Sequence, residues 1–133
     1  MAVRAFLSFV EEDLVRVNLF RAQAKNEYSN LEFDDYSVKE PINSYNADYI
    51  KQQIAAKIKY ATLTVCLCGA TTYNSPWVNW ELNKTLEMGK PIMAVWLYDD
   101  GRIRYYPGPL QNWPRVGWEH DKIMAAMNSL IKK

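Results

Sequence analysis

The segment Ser75-Pro76-Trp77-Val78-Asn79-Trp80-Glu81-Leu82 sets a tryptophan and a carboxylate one helical turn apart. Ser75 suits the cap of a helix start, and Pro76 suits the first helical position, where its missing N–H costs nothing. Trp77 and Glu81 are i and i+4, so they share a face. Val78, Leu82 and Leu86 form a second stripe turned by about 100°. That stripe is the natural contact with a core, which displaces the Trp–Glu pair toward an edge or cleft. An indole there shields a carboxylate from water, and a shielded carboxylate has a raised pKa and suits chemistry. A half-buried indole beside a solvated glutamate fits the same spacing, so the pair alone leaves both readings open.

Few other groups compete for a chemical role. Cys66 and Cys68 are the only cysteines. In a strand they share a face at a spacing that does not readily form a disulfide, and they read as small buried hydrophobes of a reducing compartment. With His120 the sole histidine, no protein-built metal site is expected. Lys plus Arg (16) nearly balances Asp plus Glu (15), so no strong field gathers nucleic acid or an anionic membrane. No apolar run approaches the length that spans a bilayer, and the N-terminus enters a strand-like pattern directly, so a cytoplasmic protein is expected.

The elements that position the pair follow from periodicity. The 133 residues, 49% of them hydrophobic, suit one layered core, hence a single domain over 1–133. An apolar run at 4–9 precedes the acidic trio Glu11, Glu12 and Asp13, which favours a helix N-terminus. Leu14, Val17, Phe20 and Ala24 then predict a helix over 12–28. A second strand is expected at 31–36 and a polar loop at 37–45, with Asn46 capping a helix whose stripe is Ile50, Ile54 and Ile58. Residues 61–68 are apolar or β-branched throughout, as in a central parallel strand. The Ser75-capped helix stops at Gly89 before Pro91. A fourth strand follows at 91–97. Residues 102–117 are irregular, with a short fifth strand somewhere inside, and a helix over 118–132 closes the chain.

Such alternation predicts an α/β, flavodoxin-like three-layer sandwich, with a mostly parallel sheet of about five strands in the order 2-1-3-4-5. Ligands of such sheets bind beyond the C-terminal strand ends, at the switch point between strands 1 and 3. The loops there are 8–12 and 69–76, and the second leads into the helix of Trp77 and Glu81. A receiver domain is excluded because strand 3 ends Cys66-Leu67-Cys68-Gly69, without an aspartate. A flavodoxin is excluded because Ser8-Phe9-Val10-Glu11-Glu12 is no phosphate loop, and neither nucleotide glycine motif is present. What remains is the Glu81 carboxylate, the aromatics Phe9, Tyr36, Trp77 and, if it is not a packing residue, Trp80, and the Ser8 and Ser37 hydroxyls. Aromatic faces hold a flat heterocycle. A carboxylate bonds ribose hydroxyls or stabilises positive charge at an anomeric carbon, so a nucleotide N-glycosidic bond is a sensible target. Tyr105, Tyr106 and Trp113 either cover the core or form a lid.

Phe6-Leu7-Ser8-Phe9 resembles the first strand of Toll/interleukin-1 receptor (TIR) domains. Ser75 to Leu82 resembles their S-x-W-V/C-x-x-E-L segment, including the W-x-x-x-E of TIR enzymes. The likeness runs over nearly the whole chain and points to the compact TIR-like proteins of bacterial Thoeris anti-phage systems. It implies cleavage of NAD at the nicotinamide–ribose bond, with NAD as substrate and no cofactor. It further implies a phage component as trigger, an ADP-ribose-derived and cyclic product, and a separate effector that the product activates. Glu81 then matches the catalytic glutamate, Trp77 the motif tryptophan, and Ser8 and Phe9 the border of the nicotinamide riboside. Loop 35–47, with Tyr36 and Ser37, matches the loop that meets a neighbouring subunit when TIR domains self-associate. It holds Pro41 but lacks the usual glycine. A non-enzymatic TIR adaptor and a nucleoside deoxyribosyltransferase-like hydrolase remain as alternatives.

Overall fold

Side chains alternate between two faces along each strand, so a sheet that is apolar on both must be covered on both. The computed structural model describes residues 3–27, 31–36 and 40–131. Its strands β1 (Val3–Ser8), β2 (Leu31–Asp34), β3 (Leu63–Cys68), β4 (Ile92–Trp96) and β5 (Arg115–Gly117) form one parallel sheet in the expected order β2-β1-β3-β4-β5. The helices are α1 (Leu14–Glu27), α2 (Ala47–Tyr60), α3 (Pro76–Glu87) and α4 (His120–Ile131). Ala5, Leu7, Val65, Leu67, Met93 and Val95 pack one face against Val17 and Phe20 of α1 and Ile123 and Met127 of α4. On the other face Phe6 meets the Ile50–Ile54–Ile58 stripe of α2. Cys66, Cys68, Ile92 and Ala94 there meet Val78 and Leu82 of α3. The cysteines are free and fully buried, their sulfurs 3.5 Å apart.

Local chemistry moved several boundaries. A 3-10 turn over Glu11–Asp13 precedes α1, which starts at Leu14, and residue 28 lies outside the described residues. β1 ends at Ser8 and β2 at Asp34, which leaves Phe9 and Tyr36 in loops. β3 starts at Leu63 because Ala61 bonds back to Ile58 and Thr62 bonds across to Arg4. β5 occupies 115–117, just past Pro107, Pro109 and Pro114, which have no N–H to give a ladder. The last helix starts at His120, two residues later than expected, and residue 132 again lies outside the described residues. Asn46 makes no side-chain cap; its amide donates to Glu40 Oε1 at 3.2 Å. No helix among the described residues is long and apolar enough to cross a membrane.

The chain turns out of α3 at Gly89, whose φ of +74° favours glycine. The next residue, Lys90, donates from Nζ to the carbonyls of Ile58, Lys59 and Ala61 at 3.1, 2.5 and 2.6 Å. One ammonium thereby satisfies the C-terminal end of α2, where carbonyls lack helical partners and the dipole favours a cation. Lys90→Met is expected to lower stability by about 1–2 kcal/mol in chemical denaturation. An unchanged midpoint would mean that water serves these carbonyls equally well.

Candidate active site

Parallel strands present all their C-terminal ends on one edge, and the order reverses between β1 and β3. A crevice of about 130 Å³ lies at that point, lined by Phe9, Val10, Glu11, Leu14, Tyr36, Ser75, Trp77 and Glu81. The Ser75 hydroxyl caps α3 by accepting from the Val78 N–H at 3.2 Å. That cap fixes the helix start and the direction in which its second turn presents Glu81. The Thr85 hydroxyl donates to the Glu81 carbonyl at 2.8 Å and pairs with the Thr64 hydroxyl of β3 at 2.7 Å. The turn that carries Glu81 is thus tied to the sheet.

Glu81 is only 4% exposed. Ser8 occupies a β1 position facing α3, and its hydroxyl donates to Glu81 Oε1 at 2.6 Å. Burial disfavours the carboxylate, and the Ser8 bond only partly offsets this, so the Glu81 pKa is raised to about 8. The free protein therefore holds this group mostly protonated at neutral pH. The solvated alternative raised by the Trp–Glu spacing is removed.

Trp77 forms one end of the crevice. Its indole N–H donates to the Glu40 carbonyl at 2.8 Å, bridging α3 to the loop after β2. Its ring meets Trp80 edge-on at 6.0 Å. Tyr36 packs on the same apolar cluster as Trp77. The Phe9 ring has the Arg21 guanidinium 5.8 Å away, and Arg21 pairs with Asp35. Phe9, Tyr36, Trp77 and Glu81 thus line one crevice; Ser8, expected to border the substrate, is instead fully buried behind Glu81, and Ser37 lies outside the described residues. Trp80 packs beside α2, with the Lys51 and Lys84 ammonium groups each 5.8 Å from its ring, and does not line the crevice. His120 opens α4, on the opposite face of the sheet.

The sequence reading missed Val10 and Leu14 as lining residues. A hydrophobic pair flanking the acidic trio is the signal that marks them. Glu12 and Asp13 of the acidic trio tie the two loops of the switch point together. Glu12 accepts from the Thr71 hydroxyl at 2.6 Å. Asp13 is buried against Gly69, with Oδ1 accepting from the Tyr98 hydroxyl at 3.3 Å and Oδ2 without a hydrogen-bond partner among the described residues. Burial raises the Asp13 pKa. Within 102–117, Tyr106 and Trp113 pack over the α3-side core, and Arg115 pins the segment through the carbonyls of Leu110, Gln111 and Trp113. Two of the three aromatics there are cover; Tyr105 is exposed.

A buried carboxylate bonded to a hydroxyl, between aromatic walls, can stabilise cationic charge that develops beside it. Comparison with known proteins gives the family and the fold. The family model described as "Thoeris protein ThsB, TIR-like domain" matches residues 6–102, which include the C-terminal half of β1 and all of β3 and α3. The "Putative cyclic ADP-D-ribose synthase ThsB1" of Bacillus cereus (strain MSX-D12) is 30% identical over 99 residues, 71% of this chain and 52% of that protein. The chain spans about half the length of that relative. Among solved structures, the CMP N-glycosidase BcmB of Clostridium botulinum superposes with a TM-score of 0.55 at 17% identity, covering 95% of this chain and 98% of that one. The TIR domains of the activated Roq1 resistosome give 0.51 at 19% identity, covering 98% of this chain and 82% of that one. These two likenesses show the fold. With a family model matching most of its length, the chain belongs to the ThsB TIR-like domain family.

Proposed function

We propose that this protein cleaves NAD at the bond between the nicotinamide nitrogen and ribose C1′. The observation that carries the reading is Glu81, buried at the switch-point crevice with Ser8 as partner, in a chain of a family whose relative is named for cyclic ADP-ribose synthesis. In the reaction the C1′–N bond breaks, and nicotinamide leaves neutral with the bonding electron pair. Positive charge develops at C1′. Ionised Glu81 stabilises it or holds the ribose hydroxyls, while Phe9, Tyr36 and Trp77 flank the ring. Cationic nicotinamide entering beside Glu81 favours the ionised carboxylate. Attack at C1′ by water, with loss of its proton, gives linear ADP-ribose; attack by another nucleophile of the same molecule gives a cyclic signal. That signal activates a separate effector during anti-phage defence, with a phage component as trigger.

A crevice of about 130 Å³ is small beside the roughly 300–1,000 Å³ of ligand pockets. It accommodates the nicotinamide end and leaves the remainder of a dinucleotide uncovered. Self-association through loop 35–47, which meets Trp77 at Glu40, supplies a further wall. The test offers NAD, CMP and a panel of nucleosides to the purified protein at rising protein concentrations. Nicotinamide release matched by an ADP-ribose-class product, with specific activity rising with self-association, supports the reading. Base release from nucleosides alone makes the protein a nucleoside hydrolase, and inertness toward every substrate at all concentrations leaves the adaptor role.

A further inference from the structure

The proposed reaction leaves one exposed aromatic pair unaccounted for. Tyr73 and Tyr105 are 37% and 63% exposed, with ring centroids 5.1 Å apart and planes tilted by 45°. Neither ring belongs to the three apolar clusters of the core. The rings pack on each other and leave a shared apolar surface exposed, which suits a partner.

Their placement indicates what that partner is. Tyr73 lies in the 3-10 turn Thr72–Asn74 after β3, two residues before Ser75 of the crevice wall. Tyr105 lies in the segment after β4. Its ring contact with Tyr73 puts both on the strand edge that carries the crevice. The turn that carries Tyr73 is held in place. The Asn79 amide donates to the carbonyls of Tyr73 and Ser75 at 3.1 and 2.9 Å. The Gly69 N–H donates to the Thr72 hydroxyl at 2.8 Å. Beyond Tyr105 the chain is anchored by buried Pro107 and Leu110 and by Arg115. Two rings packed on each other, one of them two residues from the crevice wall at Ser75, form a surface for a second flat heterocycle beside a crevice that takes only one end of a dinucleotide.

We infer that Tyr73 and Tyr105 form a stacking platform for the adenine of NAD. The inference rests on the NAD-cleaving reading and extends it from the reacting end of the substrate to the far end. Stacking reads a π-face and needs no donor or acceptor from the tyrosines, so Tyr→Phe variants retain it and Tyr→Ala variants lose it.

The test compares NAD with nicotinamide mononucleotide, which carries the same scissile bond without adenine. In Tyr73→Ala/Tyr105→Ala the ratio of kcat/KM on NAD to kcat/KM on the mononucleotide is expected to fall by about tenfold or more, through KM for NAD. Tyr73→Phe/Tyr105→Phe should restore the ratio. A second arm titrates AMP into Glu81→Gln protein, which is independent of turnover, and expects binding that the double alanine variant loses. Equal loss on both substrates would overturn the inference, since the rings would then only support the start of α3. An unchanged ratio, or AMP binding that survives the double alanine substitution, would overturn it as well. If the wild-type protein cleaves neither substrate, the NAD reading fails, while the AMP titration still decides whether the platform binds adenine.

Discussion

Glu81→Gln is expected to reduce NAD cleavage by roughly a hundredfold or more while making the protein more stable at alkaline pH. Glutamine keeps the shape of a protonated glutamic acid and still accepts from Ser8, so the fold has no reason to change. What it removes is the ionised form, the one able to stabilise charge at C1′. The stability effect follows from the same pKa. In the folded protein Glu81 holds its proton up to about pH 8, whereas in the unfolded chain it releases it near the ordinary value of 4.5. Between those values the folded state binds the extra proton, so stability declines as pH rises and levels off above about 8. Glutamine escapes that decline. The variant should match the wild type below about pH 4.5 and gain progressively up to about pH 8, by roughly 5 kcal/mol at most. Thermal melts of both proteins from acid to alkaline pH read this out. A Glu81→Gln protein that is folded but no more stable at pH 8.5 than at pH 5, relative to wild type, would show that Glu81 ionises without strain.

Gly69→Ala is expected to cost about 2–4 kcal/mol, an effect large enough to disturb the crevice wall. A Cβ at Gly69 would stand 2.1 Å from Asp13 Oδ2 and 2.6 Å from Asp13 Cγ. Asp13 is short and 5% exposed, so relief requires its carboxylate to swing out or the 3-10 turn Glu11–Asp13 to shift. That turn is flanked by Val10 and Leu14, which line the crevice with Glu11. The cause is isolated by a double-mutant cycle. In an Asp13→Ala background the same Gly69→Ala change should cost less than about 0.5 kcal/mol, because the colliding carboxylate is gone. Equal costs in both backgrounds would assign the effect to the end of β3 itself.

Much of this was legible in the sequence for identifiable reasons. The sheet order followed from strand–helix alternation, and the α3 geometry from Ser75, Pro76 and Gly89, whose conformational demands are local. Residues on those elements could accordingly be placed together: Trp77 and Glu81 line one crevice, and Ser8 lies buried behind Glu81. What spacing could not supply was depth: i and i+4 put Trp77 and Glu81 on one face, and only the packing of α3 against β1 shows that Glu81 is enclosed. β5 was hidden because three residues after a proline-rich stretch carry no periodicity. The acidic trio suggested helix-end electrostatics, but the Glu12–Thr71 and Asp13–Gly69 contacts join loops some sixty residues apart, which no local pattern encodes.

Glu81, buried and protonated in the free protein, is expected to act as a carboxylate on the nicotinamide–ribose bond. The most direct test is kcat/KM for nicotinamide release from NAD, measured from about pH 6 to about pH 9.5, since that parameter reports ionisations of the free enzyme. The wild-type rate should climb with pH and level off near pH 8, and Glu81→Gln should keep a residual rate without that climb. A wild-type profile that is flat across this range, or the same rise in Glu81→Gln, would contradict it.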